Sequence, residues 1–273
     1  MRTDVLPITR GPRGLRDPRK VASPAMPPLT PAGGPAPTRG LTPTAKGRGQ
    51  LTGSAEGAAG LLARLRYRHW LLAIMLILLP ASCIDAASMT QIFLQHTLTV
   101  LLLGVLIITG IRHPLDNTSY TLLFAYLLLH LLGAHYLYSG VPYDDWAARL
   151  LGFRLSDALH LQRNHYDRFV HLCFGLLLFH PAREAAGRLM KLDRGWSSFV
   201  AVLVIISFSA VYEHLEWVVS LVLAPETADS YNGQQGDFWD AQKDSALALV
   251  GAIFSALLEA FIVRRRAHRQ PRQ

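Results

Sequence analysis

Three short spacings carry most of the chemistry this sequence can do. Asp167 and His171 stand four residues apart, with Arg168 between them, and Glu213 and Glu216 stand three apart. On a helix, both spacings put the pair on one face. Asp237, Asp240 and Asp244 form a third set, with Asp240 and Asp244 again four apart and Trp239 among them. Carboxylates beside an imidazole suit two tasks. They can bind a divalent cation, or one can keep its proton and act as a general acid. Asp237, Asp240 and Asp244 are the metal candidates on this reading.

The segments around these residues are apolar. The chain has 273 residues, 51% hydrophobic and 17% charged, against about a quarter charged in a typical soluble domain. Six apolar runs, 70–88, 92–111, 120–138, 169–182, 196–224 and 245–263, predict about six transmembrane helices, the fourth reaching spanning length only if 164–168 joins it. The fold class is therefore all-α, a polytopic membrane helix bundle. Between the third and fourth runs, Trp146, Leu150, Leu151, Phe153, Leu155 and Leu159 recur at helical spacing. They predict one amphipathic helix lying on the membrane surface.

Three regions follow. Residues 1–63 are rich in Pro, Gly and Arg without hydrophobic periodicity, and are expected to be a disordered cytoplasmic tail. No apolar stretch follows the first charges closely, so this segment is not read as a simple signal peptide. Residues 64–263 form the transmembrane domain, and 264–273 a basic cytoplasmic tail.

Net charge is +8, but its placement matters more than its sum. Residues 1–68 hold twelve Lys/Arg and three acids, 264–273 five Arg and no acid, while 69–263 hold ten basic and sixteen acidic residues. Basic ends on a membrane protein speak for topology and lipid-surface attraction, so no nucleic-acid partner is expected. The Lys/Arg of the short loops put both termini in the cytoplasm. On that topology His130, His135, Asp167, Arg168, His171, Glu213, Glu216, Asp237, Asp240 and Asp244 gather toward the outer side, and the inner halves hold little beyond Glu259. Cys83 and Cys173 have no metal-type or redox-type spacing.

Each feature also has a structural reading. Arg168 can pair with Glu213 or Glu216 to lock two helices. His130 and His135 can be hydrogen-bonded interface residues. The aspartates can be helix N-terminal charges favoured by the macrodipole, and Trp146, Trp217 and Trp239 an interfacial belt. These readings leave several carboxylates over.

The motifs D-R-x-x-H (167–171), E-x-x-E-W (213–217) and G-D-x-W-D-x-x-x-D (236–244), with "HLLGAHYLYSGVPYDDW" before them, resemble the YjdF family of bacterial inner-membrane proteins over about 69–263. More faintly, the pattern is similar to VanZ-like membrane proteins, though Ser245 and Ala248 stand where those chains often carry Asn. The resemblance implies a multi-pass protein of the bacterial inner membrane. It also implies a site at Asp167, Arg168, His171, Glu213, Glu216, Asp237, Asp240 and Asp244.

Three functions fit. One is an intramembrane hydrolase or transferase acting from the outer face on a phospholipid head group or a lipid-linked envelope precursor. In it Arg168 meets the phosphate, His171 or a glutamate serves as acid or base, and Asp237, Trp239, Asp244, His130 and His135 bind. The second is an ion- or proton-coupled transporter, against which no repeat relates the two halves. The third is a structural or regulatory subunit with an ion-pair girdle.

Overall fold

The computed structural model describes residue 60 and residues 67–223 and 233–269, all within one compact unit, Arg48–Gln273. Apart from Gly60, the tail expected over 1–63 lies outside the described residues, as do 270–273. Among the described residues there are helices and turns and no strand.

Eight helices follow in order: α1 (Tyr67–Ala81), α2 (Met89–Arg112), α3 (Asn117–His135), α4 (Tyr143–Leu151), α5 (Leu155–Ala158), α6 (Tyr166–Leu189), α7 (Arg194–Val222) and α8 (Asp240–Arg269). By length and composition α2, α7 and α8 can cross a membrane. At 24, 29 and 30 residues they run about 36 to 45 Å, more than a hydrocarbon core of about 30 Å. Their outward side chains are apolar. Ile77, Leu101, Leu221 and Leu257 each expose more than three-fifths of their surface, while Gln95, His130, Asp167 and Asp244 are buried. Such an apolar exterior around a partly polar interior suits lipid rather than water.

Local chemistry sets the helix ends. Ser88 and Asp116 cap α2 and α3, accepting from the amides of Gln91 and Ser119. Asp193 caps α7, accepting from Gly195 at 2.8 Å and Trp196 at 3.0 Å. The first apolar run was expected to stay helical through 88. Instead α1 stops at Ala81 and the chain turns, with Asp85 in the left-handed region (φ 53°). The fourth run gains length at both ends, because α6 begins at Tyr166 and continues through Pro181 to Leu189. The single amphipathic helix expected between the third and fourth runs is corrected to two short ones. Gly152, at φ 82°, ends α4 in a left-handed cap. Asp144 then accepts the Ser156 amide at 2.8 Å to start α5.

The helices form two groups of three. Met75, Leu103, Leu127 and Leu131 join α1, α2 and α3; Phe179, Ala201, Ile205, Ala248 and Ala252 join α6, α7 and α8. Contact between α3 and α6 links the groups. The tightest crossing is α6 on α8. A Cβ on Gly175 would overlap the Ala248 carbonyl, and one on Gly251 would overlap the Leu172 carbonyl. Only glycine lets these backbones approach so closely.

Gly175→Ala and Gly251→Ala should therefore each lower the melting temperature of the purified protein. Overpacking usually costs about 1–3 kcal/mol, and a backbone obstacle puts the cost toward the upper end. Gly104 has open space around it, so Gly104→Ala should change little. Equal melting of all three variants would exclude the close crossing.

Candidate functional site

Polar side chains collect at two ends of the same helix pair. Asp167 and His171 lie in the first turns of α6, Asp240 and Asp244 in the first turns of α8, and Glu213 and Glu216 in the last third of α7. Fifteen residues beyond Asp244, about 22 Å along α8, Glu259 meets the far end of α6.

The first end has two layers. In the outer layer, Arg163 Nη2 lies 2.5 Å from Asp240 Oδ1, and Arg168 Nη2 lies 3.1 Å from the same oxygen. Arg168 also pairs with Asp237, and Lys243 Nζ is 2.6 Å from Asp237 Oδ2. Arg163 additionally donates to the Gln234 carbonyl. Gln235 and Asn164 exchange hydrogen bonds at 2.9 and 3.1 Å. These contacts staple the loop before α8 onto the start of α6. The Lys243 ammonium first, then the Trp239 amide and Arg168, hold the Asp237 carboxyl well below the usual carboxylate range.

The inner layer is different. Asp167, His171, Glu216 and Asp244 are buried, and no Arg or Lys among the described residues pairs with them or with Glu213. His171 Nε2 lies 3.7 Å from Asp167 Oδ1 and 3.5 Å from Glu213 Oε1. Ligand atoms of Asp167, His171 and Asp244 all fall within 4.8 Å of one another. Asp244 Oδ1 and Glu213 Oε1 are buried without a hydrogen-bond partner. Buried polar atoms are seldom left so, because each forfeits its hydration without replacement.

A cavity of about 390 Å³ reaches this layer between α2, α3, α6 and α7. Its far wall is apolar: Leu101, Val105, Phe208 and Val211, all largely exposed on the outside of the bundle. Asp167, His171, His130 and Tyr138 line its polar part. Across the gap Tyr212 Oη donates to Gln95 Oε1 at 3.1 Å.

Some expected site residues stand elsewhere. Arg168 meets Asp237 and Asp240, not Glu213 or Glu216. Asp237 and Asp240 are neutralised in the outer layer, apart from the group that includes Asp244. His130 is held at 2.6 Å by both Thr99 and Tyr138, a wall of the cavity. His135 is 2.9 Å from the Ser82 carbonyl and ties α3 to the turn after α1. Trp239 is mostly exposed and packs edge-on against Phe238, with ring centres 5.1 Å apart.

The far end was not expected beyond Glu259. Glu259 bonds His180 Nδ1 at 2.5 Å and accepts from Arg194 Nη2 at 3.1 Å, and it pairs with Arg183, whose Nε lies 2.7 Å away. Glu184 accepts from Ser119 Oγ at 2.5 Å and from the Asp116 amide at 2.9 Å, and pairs with Arg188. The i,i+3 and i,i+4 run His180, Arg183, Glu184, Arg188 was the signal available for it.

Residues 67–265 match the family described as "Predicted membrane protein (DUF2238)". Inner membrane protein YjdF of Escherichia coli (strain K12) is 33% identical over 168 residues, covering 61% of this chain and 76% of that protein. No solved structure matches.

The lowered Asp237 predicts how the outer layer answers acid. A carboxyl depressed in the fold stabilises it above its ordinary value and loses that effect only as pH falls through the lower folded value. Amide exchange around 237–240 should thus stay slow from pH 7 down to pH 4, and should rise already at pH 7 in Asp237→Asn. Fast exchange in the unaltered protein at pH 5 would contradict the staple.

Proposed function

The chain belongs to this family of predicted membrane proteins, and on that premise we propose a bacterial inner-membrane hydrolase or transferase acting on phosphate-linked lipid head groups. The location follows the printed name of the relative in Escherichia coli. We read six spans: α1, α2, α3, α6, α7 and α8. The two short helices α4 and α5, with Leu150, Leu151 and Leu159 exposed, lie on the membrane surface. Arg183, Arg188, Lys191, Arg194 and Arg264–Arg266 gather at the Glu259 end, which the Lys/Arg bias assigns to the cytoplasm along with both termini. The Asp167/His171 end then opens to the outer face.

One observation carries the reading: a buried carboxyl and an imidazole, Asp167 and His171, line a cavity whose far wall is apolar, and Glu213 and Asp244 near them keep buried oxygens without hydrogen-bond partners. A lipid has that same polarity, an acyl chain joined to a phosphate. With its chain against Leu101, Val105 and Phe208, its head group would sit beside His171. In hydrolysis, water adds to phosphorus as the bond to the leaving oxygen breaks. Glu213 would accept the proton from that water, and protonated His171 would return one to the leaving alcohol. In transfer, an alcohol acceptor replaces the water.

His171→Gln and Glu213→Gln should fold with an unchanged melting temperature yet lose about 10²–10⁴-fold in turnover, the usual worth of an acid or base. Glu216→Gln should behave likewise, with a smaller loss. Asp240→Asn should mainly lower the melting temperature, because it leaves Arg163 and Arg168 short of a partner. The lipid to assay is the one that accumulates in cells lacking the gene. Sharp destabilisation by all of these with no turnover at any lipid favours a structural subunit, and lost proton-coupled flux in liposomes favours a carrier.

The orientation has its own readout. A cysteine replacing Trp239 should react with a membrane-impermeant maleimide added to intact spheroplasts, whereas one replacing His268 should react only after lysis. The reverse pattern would put the site in the cytoplasm.

A further inference from the structure

We propose that Asp167, His171 and Asp244, with Glu213 beside them, bind one divalent cation of the zinc class. The inference rests on the proposed reaction only for what the cation would do, not for whether it binds; with the cation held by His171, Glu213 returns the proton it takes from water to the leaving alcohol. Four observations support it. Three ligand atoms from α6 and α8, one nitrogen and two oxygens, lie within 4.8 Å of one another. The Nε2–Oδ1 separation, 3.7 Å, is close to the edge of a tetrahedron about 2.0–2.2 Å from a zinc ion, about 3.4 Å, and Glu213 Oε1 stands beside the set, 3.5 Å from Nε2. Asp244 is 2% exposed and its Oδ1 has no hydrogen-bond partner, as is true of Glu213 Oε1. No Arg or Lys among the described residues forms an ion pair within this layer. Arg163, Arg168 and Lys243 are all spent on Asp237 and Asp240.

The other group with ligand spacing, Asp116, His180 and Glu184, is a control within the same molecule. Its carboxylates already have partners, although His180 Nε2 is left without one. His180 Nδ1 is bonded to Glu259, and Glu184 to Ser119, the Asp116 amide and Arg188. A cation there would displace the hydrogen bonds that the Asp116 and Glu184 oxygens already accept, whereas at Asp244 the carboxylate oxygen itself is without a partner. One imidazole with carboxylates favours zinc over magnesium or calcium, which prefer all-oxygen ligands. Three protein ligands would leave a fourth position for a phosphate oxygen or water, and two of them, Asp167 and His171, line the cavity.

The test uses the full chain in lipid nanodiscs, stripped with chelator and then given Zn²⁺ or Co²⁺ alone. One equivalent of zinc should survive gel filtration, and Co²⁺ should give a saturable visible spectrum of nitrogen and oxygen ligation. Asp244→Asn and His171→Gln should each weaken uptake at least about tenfold, while Glu184→Gln retains it. Uptake that both variants leave unchanged, or that Glu184→Gln abolishes, overturns the assignment. Should the variants fail to fold, the unaltered protein still decides, since no saturable cobalt spectrum also overturns it. Bound metal without lipid turnover would remove the reaction and leave the site. Turnover by protein that takes up no metal would remove the site and leave the reaction.

Discussion

The crossing of α6 and α8 at Gly175 and Gly251 sets the position of nearly every ionisable group in the bundle. Within a bilayer, burying one apolar surface against another gains little over contact with lipid, so helices associate through close packing and polar contacts. Small residues supply the first: Gly175 on one helix against Ala248, Gly251 and Ala252 on the other. Once the two backbones touch, Asp167 and His171 must lie beside Asp240 and Asp244. One helix length away, His180 and Arg183 must lie beside Glu259. A larger residue at the crossing would move both polar clusters together.

The clusters nonetheless follow opposite electrostatic rules. At the Glu259 end every acid has a cation or donor within hydrogen-bonding reach, so the charges there sum toward neutrality. Such an arrangement lets polar groups enter a membrane interior at tolerable cost. At the Asp167 end neutralisation stops after the outer layer. Arg163, Arg168 and Lys243 close the loop over α8, and beneath them Asp167, Glu213 and Asp244 gather at a single histidine, with Glu216 bonded to Tyr212. Burying charges without counter-ions costs several kcal/mol each, so protons or a cation must balance them. A purely structural girdle would resemble the Glu259 end on both sides. The asymmetry is what sets the second end apart as a site.

Hydropathy made the apolar runs legible, and membership in the YjdF-type family followed from three spaced motifs. Helix limits were less legible because they depend on single residues. Asp85 and Gly152 turn the chain through left-handed backbone that no periodicity predicts. Partners far apart in sequence were the hardest to read. Arg163 lies in the loop before α6, yet it meets Asp240, 77 residues away. The assignment of Arg168 to the glutamates was reasonable from depth alone, but α8 brings Asp237 and Asp240 nearer. Periodicity specifies which residues share a face; which faces meet depends on packing, here on two glycines.

The cavity gives the chemistry its direction. A water-soluble substrate would gain little from Leu101, Val105, Phe208 and Val211, which face the bundle exterior as well as the cavity. A purely apolar ligand would in turn leave Asp167 and His171 unserved and keep their desolvation uncompensated. Only a molecule apolar along most of its length and anionic or polar at one end satisfies both walls. An anion approaching four carboxylates also needs an intervening positive charge. The arginines and the lysine are already engaged by Asp237 and Asp240, so either a protonated His171 or a bound cation must provide it. The proposed substrate class and the proposed cation site thus rest on one arrangement: basic side chains used to close the loop, and acids left over beneath it.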